Sequence, residues 1–393
     1  MEPVPPPAVL PLDEGESRVV LSNTDSQPAL PGAAVGTAAA ATSRGPSRAE
    51  ASRTGRARLA VVRTVIGIAV GVLLVLVFLK LVNVNAALRQ LSHLSVGFAL
   101  LSGVAWLAAY AVRAVRWRFL LSPIRVAVRR LAAIYQVSTF LNWLLPVQAG
   151  ELAKSLLLRR TDGVPVSRSL ATVSMDRAMD LLPAVALVVA APFVHLHLGR
   201  PLWIVLLISS AGVVLVLIGL ACAMRARRRA SRQLSGMLET ILPRGARERI
   251  EPLIDTFLDT LVALTRRPKV LLLAAVLTLT AVCLEALFCL LAFRAVGVHV
   301  APQVALYGYT LFNLAYILPT PPGHVGSNEL IGLLVFAGVF GISRSGVAAM
   351  FLFVHPWTAL LITSTGLACL SGLGLRFRTA FSLTSAREAE GQP

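Results

Sequence analysis

The stretch Thr139-Phe140-Leu141-Asn142-Trp143-Leu144-Leu145-Pro146-Val147-Gln148-Ala149-Gly150-Glu151 interrupts an apolar segment, 131–158, whose composition otherwise suits a bilayer. Pro146 has no N–H to donate and Gly150 is costly to hold in a helix, so the chain turns here and a new helix starts near Glu151. After the break only about ten residues precede Arg159 and Arg160, roughly half of the 20 or so that a crossing needs. The segment therefore reads as a re-entrant hairpin.

A second apolar segment, 302–340, breaks in the same way. Thr310-Leu311-Phe312-Asn313 precedes Leu318-Pro319-Thr320-Pro321-Pro322-Gly323, and Gly326 leads to Glu329. The order Thr, Asn, Leu-Pro, Gly, Glu is common to both stretches, with a few residues inserted in the second. Each hairpin is flanked by long apolar runs, 96–121 and 168–194 in one case, 270–295 and 344–370 in the other. Two units of span, hairpin, span, about 96–194 and 270–370, predict an inverted repeat with substrate sites where the helices break.

Two further apolar runs, 61–83 and 202–224, bring the expectation to an all-α polytopic membrane protein with six full spans and two re-entrant hairpins. If each broken segment crosses fully, the alternative is eight spans. Composition points the same way: 56% of the 393 residues are hydrophobic and 14% charged, against about 25% charged in soluble chains. The formal charge of +18 is concentrated in short clusters between apolar runs, a topology signal and not a nucleic-acid surface. An internal N-terminus puts the clusters at 44–63, 113–130, 159–168, 225–232, 244–269 and 376–387 on the cytoplasmic side. The first hairpin then enters from the cytoplasm and the second from outside. The expected location is the cytoplasmic membrane, with both termini cytoplasmic.

Residues 1–57, rich in Pro, Ala, Ser and Gly and acidic near Asp13, Glu14 and Glu16, read as a disordered cytoplasmic tail and not as a signal peptide. Residues 58–375 form the expected membrane domain. Between the repeats, an insert at 225–269 carries an amphipathic stretch, 234–264, with Ile250, Leu253, Ile254, Phe257, Leu258 and Leu261 on one face. Residues 376–393 form a short cytoplasmic tail. Gly67-x-x-x-Gly71 suggests close helix packing in the first span. Cys222, Cys283, Cys289 and Cys369 lie in apolar runs without ligand spacing and read as packing residues. His195-x-His197 has no third ligand nearby, so no metal and no cofactor are expected.

Ionisable residues inside the apolar runs cost about 2.5–3.5 kcal/mol each at a bilayer centre, so they should face protein or a polar cavity. They are Glu151, Lys154, Asp176, Arg177, Asp180, Glu285, His324, Glu329 and His355. Asp176 and Asp180 are spaced i,i+4 and share a helix face, with Arg177 in reach of Asp180. Counted from Arg168 at 1.5 Å per residue, Asp180 lies about 18 Å deep, near the bilayer middle. Glu151 and Lys154 sit at the start of the first hairpin's second arm. Gly323, Gly326 and Asn328 lead into Glu329 at a helix start that could cradle an anion, with His324 placed to titrate or to bond a headgroup. Arg113 and Arg116, with Arg118 and Trp117, close the second span and read either as interfacial anchors or as a basic gate for anionic headgroups. Glu285 has no partner in sequence. P-loop, H-E-x-x-H and G-x-S-x-G motifs are absent, so ATP hydrolysis, zinc proteolysis and esterase chemistry have no support.

These motifs resemble a family, the membrane proteins related to the transmembrane flippase region of lysylphosphatidylglycerol synthase. The resemblance rests on Arg113-x-x-Arg116-Trp117-x-x-Leu120-Leu121, Leu141-Asn142-x-x-Leu145-Pro146-x-x-x-Gly150-Glu151, Asp176-Arg177-x-x-Asp180 and Pro319-x-x-Pro322-Gly323-x-x-Gly326-x-x-Glu329, and covers about residues 60–375. The pattern departs at His324, where a second glycine would be expected. The resemblance implies movement of a polar lipid between leaflets, along a path of Arg113, Arg116, Asn142, Glu151, Lys154, Asp176, Arg177, Asp180, Asn313, Gly323, His324, Asn328 and Glu329. Pro146, Gly150, Pro319, Pro322 and Gly326 would break the hairpins. It does not imply lipid synthesis, because the synthases carry a soluble aminoacyl-transferase domain after the membrane part and this sequence runs only about twenty residues past its last span.

The expected function is therefore a flippase-like transporter, not an enzyme, for an anionic or aminoacylated phospholipid or a lipid-linked headgroup. Proton coupling through a carboxylate or His324 is one energy source; unassisted equilibration is another. The alternatives are an inverted-repeat permease for a small soluble solute, an intramembrane enzyme with Asp176 or Glu329 as general base, and a non-transporting partner of an envelope-glycan enzyme. The expected partners are a membrane lipid and no nucleic acid, and a homo-oligomer is compatible with the long apolar faces.

Overall fold

The computed structural model describes residues 67–144, 149–190, 266–315 and 320–374, with 255–260, 262–264 and isolated positions between 204 and 252. Both tails, most of the 225–269 insert, most of the 202–224 run, His195, His197, Pro146 and Pro319 lie outside the described residues. Among the described residues every regular element is helical.

The first described helix, α1 (Gly67–Leu81), turns through 90° into α2 (Val84–Leu91). Asn83 starts α2, its side chain accepting the Ala86 N–H at 3.0 Å. Then come α3 (Val96–Leu120), α4 (Val128–Leu144), α5 (Ala149–Asp162), α6 (Val166–Met179) and α7 (Leu182–Ala190). The second half holds α8 (Pro268–Ala295), α9 (Pro302–Ala315), a 3-10 turn at Pro322–His324, α10 (Ser327–Gly332) running into a π-helical stretch at Leu333–Val339, and α11 (Arg344–Gly372). Of these, α3, α8 and α11, with 25, 28 and 29 residues, are each long and apolar enough to cross a bilayer alone. The protein is an all-α polytopic membrane protein.

Three of the expected spans, 96–121, 270–295 and 344–370, coincide with α3, α8 and α11. The run 168–194 does not form one helix: it breaks at Asp180 and Leu181 into α6 and α7. Pro183 supplies the reason, since it has no N–H for the Met179 carbonyl and its ring would clash with that carbonyl in a continuous helix. A hydropathy window reads through such a break.

Packing between the halves is reciprocal. Helix α3 lies along α8, α4 of the first hairpin packs on α11, and α9 of the second hairpin packs on α7. Within each half, the hairpin's second arm returns onto its own closing helix, α5 on α6 and α10 on α11. Each half thus completes the other's core. Phe293, Phe312, Phe336 and Phe351 pack together on the α8 to α11 side. Trp117, Leu131, Ile134, Tyr135 and Leu157 pack on the α3 to α5 side. The small residue Gly71 of α1 lies against the turn of the second hairpin, where an added Cβ would stand 3.4 Å from the Val325 carbonyl oxygen.

Candidate functional site

Arg113, Arg116, Trp117 and Leu120 fall at i, i+3, i+4 and i+7 and so share one face of α3. That face turns inward, toward α6 and α8. Arg116 is fully buried. Its Nε donates to Asp176 Oδ1 at 2.7 Å, one terminal nitrogen lies 2.9 Å from Asp180 Oδ1, and the other donates to Thr278 Oγ1 of α8 at 2.9 Å. Arg113 lies one turn away. Its guanidinium contacts Asp180 Oδ1 at 2.7 Å and Glu285 Oε1 of α8 at 2.8 Å. Glu285, without a neighbour in sequence, has found one 172 residues away.

The first hairpin brings the remaining charges. Lys154 of α5 is buried, with Nζ 3.1 Å from Glu151 Oε2, 3.9 Å from Asp176 Oδ2 and 3.6 Å from the centre of the Tyr135 ring. Tyr135 of α4 holds both partners, because its hydroxyl also donates to Asp176 Oδ2 at 3.3 Å. Arg177 pairs with Glu151 Oε1 and stands 3.6 Å from Asp180 Oδ2. Asp180, Arg116, Asp176, Lys154, Glu151 and Arg177 therefore form a closed ring, with Arg113 and Glu285 attached at Asp180. Four cations face four carboxylates, and the formal charge cancels. Such a cluster fixes helix positions more than it adds net stability, since desolvating the ions offsets their attraction.

Two breaks bound this cluster. In the first, the Gly150 N–H donates to Asn142 Oδ1 at 2.7 Å while Asn142 Nδ2 donates to Glu151 Oε1 at 3.0 Å. Asn142 thus caps the new helix and aims its first carboxylate. Ser138 Oγ donates to the Gly150 carbonyl at 2.7 Å. A Cβ on Gly150 would meet the Ser138 carbonyl oxygen at 2.1 Å, so only glycine permits this approach of α4 and α5. In the second break, His324 and Gly326 both have positive φ, 57° and 78°. His324 occupies the left-handed conformation that glycine takes without steric cost. Its Nδ1 lies 2.7 Å from Thr320 Oγ1. Glu329 of α10 points to α11, with Oε1 2.6 Å from Nδ1 of His355.

Between the breaks lies a cavity of about 820 Å³, within the 300–1,000 Å³ usual for ligand sites. Arg113, Asn142, Glu151, Arg177 and Asp180 line it from the first half, and Glu285, Asn313, His324, Asn328 and His355 from the second. Trp106, Tyr110, Trp143 and Tyr309 supply aromatic wall. Asn313 Nδ2 reaches Glu285 Oε2 at 3.4 Å, a polar contact between the second hairpin and the α8 carboxylate.

Not all the expected path residues reach this space. Arg116, Lys154 and Asp176 are buried behind the wall and act on it through Asp180, Glu151 and Tyr135. Glu329 stands behind His355, and Gly323 shapes the turn without lining the cavity. The basic gate is a correction: Arg113 and Arg116 are paired inside the bundle and Trp117 is fully buried, its Nε1 donating to Thr172 Oγ1 at 3.2 Å. Carboxylates on α6 and α8 draw that face inward, where an unpaired arginine would be prohibitively desolvated. Only Arg118 keeps an outer role, donating to the Val126 carbonyl at 2.9 Å. Tyr135, Tyr110 and Thr278 join the site without any signal in their spacing. His355 was visible as an intramembrane histidine and gains a partner only in the fold.

Two broken segments converging on a charged, partly aromatic cavity define a multi-pass integral membrane protein of the broken-helix class. The chain belongs to the family of the lysylphosphatidylglycerol synthase TM region, whose model matches residues 64–366. It is similar to two UPF0104 membrane proteins of Methanothermobacter thermautotrophicus. One is 24% identical over 305 residues, covering 74% of this chain and 89% of the relative. The other is 26% identical over 271 residues, covering 64% and 77%. No solved structure matches the chain.

Proposed function

We propose that this protein moves a polar lipid headgroup across the cytoplasmic membrane, as a transporter and not an enzyme, with both termini in the cytoplasm. The observation that carries this reading is the cavity, which touches both helix breaks and offers charges of both signs to one occupant. Non-helical backbone at membrane depth persists only where protein buries it or a polar cavity runs beside it. The Arg177 to Glu151 pair supplies the opening contact, because Arg177 is the most exposed member of the ring, its side chain 45% accessible. A phosphate displaces Glu151 from Arg177, while an ammonium on the same headgroup takes up the released carboxylate. An anionic, zwitterionic or aminoacylated phospholipid, or a lipid-linked headgroup, meets this description.

The test is reconstitution of purified protein into liposomes with fluorescent anionic, zwitterionic and aminoacylated lipids and an impermeant quencher. The inner-leaflet pool becomes quenchable with wild type, and stays protected with Glu151→Gln or Arg177→Gln at unchanged yield and monodispersity. Wild-type rates in both variants would remove the proposed path. Saturable uptake of a water-soluble compound with no lipid movement would reassign the cavity to a soluble solute.

A further inference from the structure

The cavity's carboxylates are held by two different chemistries. Every carboxylate of the charged cluster, Glu285 of α8 included, is matched by arginine or lysine, and a guanidinium does not release its proton in a protein. In the second half Glu329 faces an imidazole. Its side chain is buried and Oε1 lies 2.6 Å from His355 Nδ1, an ion-pair contact out of line for a hydrogen bond, so that neither Glu329 Oε2 nor His355 Nδ1 has a hydrogen-bond partner. His355 itself lines the cavity. We propose that Glu329 and His355 form a proton-binding site, making a proton the co-substrate of whatever the cavity carries.

The proton count follows from the pairing. With one proton shared, the pair is either imidazolium and carboxylate or imidazole and carboxylic acid, and neither leaves an uncompensated buried charge. Remove that proton and a bare carboxylate remains in a site that offers Oε2 nothing, a state costly to bury. The proton stays until the cavity admits water or a cationic group on the cargo. It then leaves from the imidazole or carboxyl oxygen to solvent, with no other bond made or broken.

The surroundings restrict what else tunes the pair. On the hairpin turn His324 faces both groups and interacts electrostatically with each. Among the described residues, α9 contributes the tyrosines Tyr307 and Tyr309, and α1 has Lys80 near its far end. Helix α11 adds only Arg344, eleven residues from His355 and so about 16 Å along the axis. Across the cavity stand Arg113, Arg177, Glu151, Asp180 and Glu285, already compensated among themselves. Pro356 follows His355 directly within α11, freeing the Leu352 carbonyl and giving the helix a place to bend beside the site.

The proton site stands on its own geometry; its coupling to lipid rests on the translocation reading. Two measurements on reconstituted full-length protein separate them. The first is infrared difference spectroscopy between acid and alkaline buffer, which sees a carboxyl or imidazolium signal titrating in wild type and missing from both Glu329→Gln and His355→Asn. A spectrum unchanged by both substitutions overturns the proton site, whether or not lipid moves. The second sets a pH gradient across the liposomes. With one proton per lipid, a one-unit gradient sustains about a tenfold leaflet ratio of a trace labelled lipid, reversing when the gradient is reversed. A wild-type protein that moves lipid to the same even distribution under either gradient overturns the coupling while leaving translocation intact. If no lipid moves, the translocation reading fails, and the spectra alone decide the proton site.

Discussion

The two halves of the molecule resemble each other in path and differ in what their charges are tied to. In the first, α3, α5 and the end of α6 bring together four cations and three carboxylates, with Glu285 of α8 as the fourth, through contacts mostly of 2.7–3.1 Å. In the second, α10 and α11 join one carboxylate to one histidine. The first arrangement works as a fixed frame, since none of its arginines changes charge and each ion has several partners. The second has one close contact to lose, between a carboxylate and an imidazole. The lesson is that two broken-helix segments facing one cavity can differ in what their side chains permit, one set of charges locked by arginines and the other resting on a single imidazole.

The sharpest way to break that contrast is Arg116→Met. It leaves buried Asp176 with Lys154 at 3.9 Å as its nearest cation and takes one of three cations from Asp180, and should cost about 3–5 kcal/mol, as removal of one partner of a buried pair does. Loss of monodisperse protein, or a large drop in the detergent unfolding midpoint, is the expected result. A midpoint equal to wild type would mean that the ring is not closed through Arg116.

Gly150→Ala comes next. The new Cβ must push the Ser138 carbonyl away, and overpacking of this kind costs about 1–3 kcal/mol. Gly326→Ala is its counterpart in the other half, with the Gly71 carbonyl oxygen 2.7 Å from the added Cβ and a positive φ besides. Comparable losses in denaturant titrations would show both breaks packed to the same tolerance; loss at only one would sharpen the asymmetry. Tyr135→Phe keeps the ring beneath Lys154 and removes only the hydroxyl to Asp176, a change of about 1 kcal/mol. Lys154→Met measured alongside should exceed it, because that variant leaves Glu151 and Asp176 short of a cation.

The smallest effect is expected from Glu329→Gln. An amide keeps the side chain's shape beside His355 and leaves no stranded charge, so stability should move by less than about 1 kcal/mol. If it destabilises as much as Arg116→Met, the second half is as rigid a frame as the first and that contrast is wrong.

The breaks were legible where Gly150, Pro322 and Gly326 make local statements about the backbone, Gly150 at the start of α5 and Gly326 just before α10. The charges were legible as costs but not as pairs. Arg116 and Asp176 are 60 residues apart and Arg113 and Glu285 are 172 apart, separations that no local pattern encodes. In sequence Arg113 and Arg116 read as interfacial anchors or as a basic gate, because basic residues near a span's end usually reach for the interface. Their shared face with Trp117 and Leu120 was the available sign that they turn inward. Tyr135 carried no signal at all, its role resting on where the hairpin folds back.

The most direct test of the account is whether a headgroup occupies the cavity. A phospholipid with a photoreactive group on its head, irradiated in liposomes with the protein, should leave adducts on cavity residues such as Tyr110, Asn142, Arg177 and Asn313 that mass spectrometry can place. Adducts confined to the outward apolar faces of α1, α3 and α8, with none inside the cavity, would contradict it.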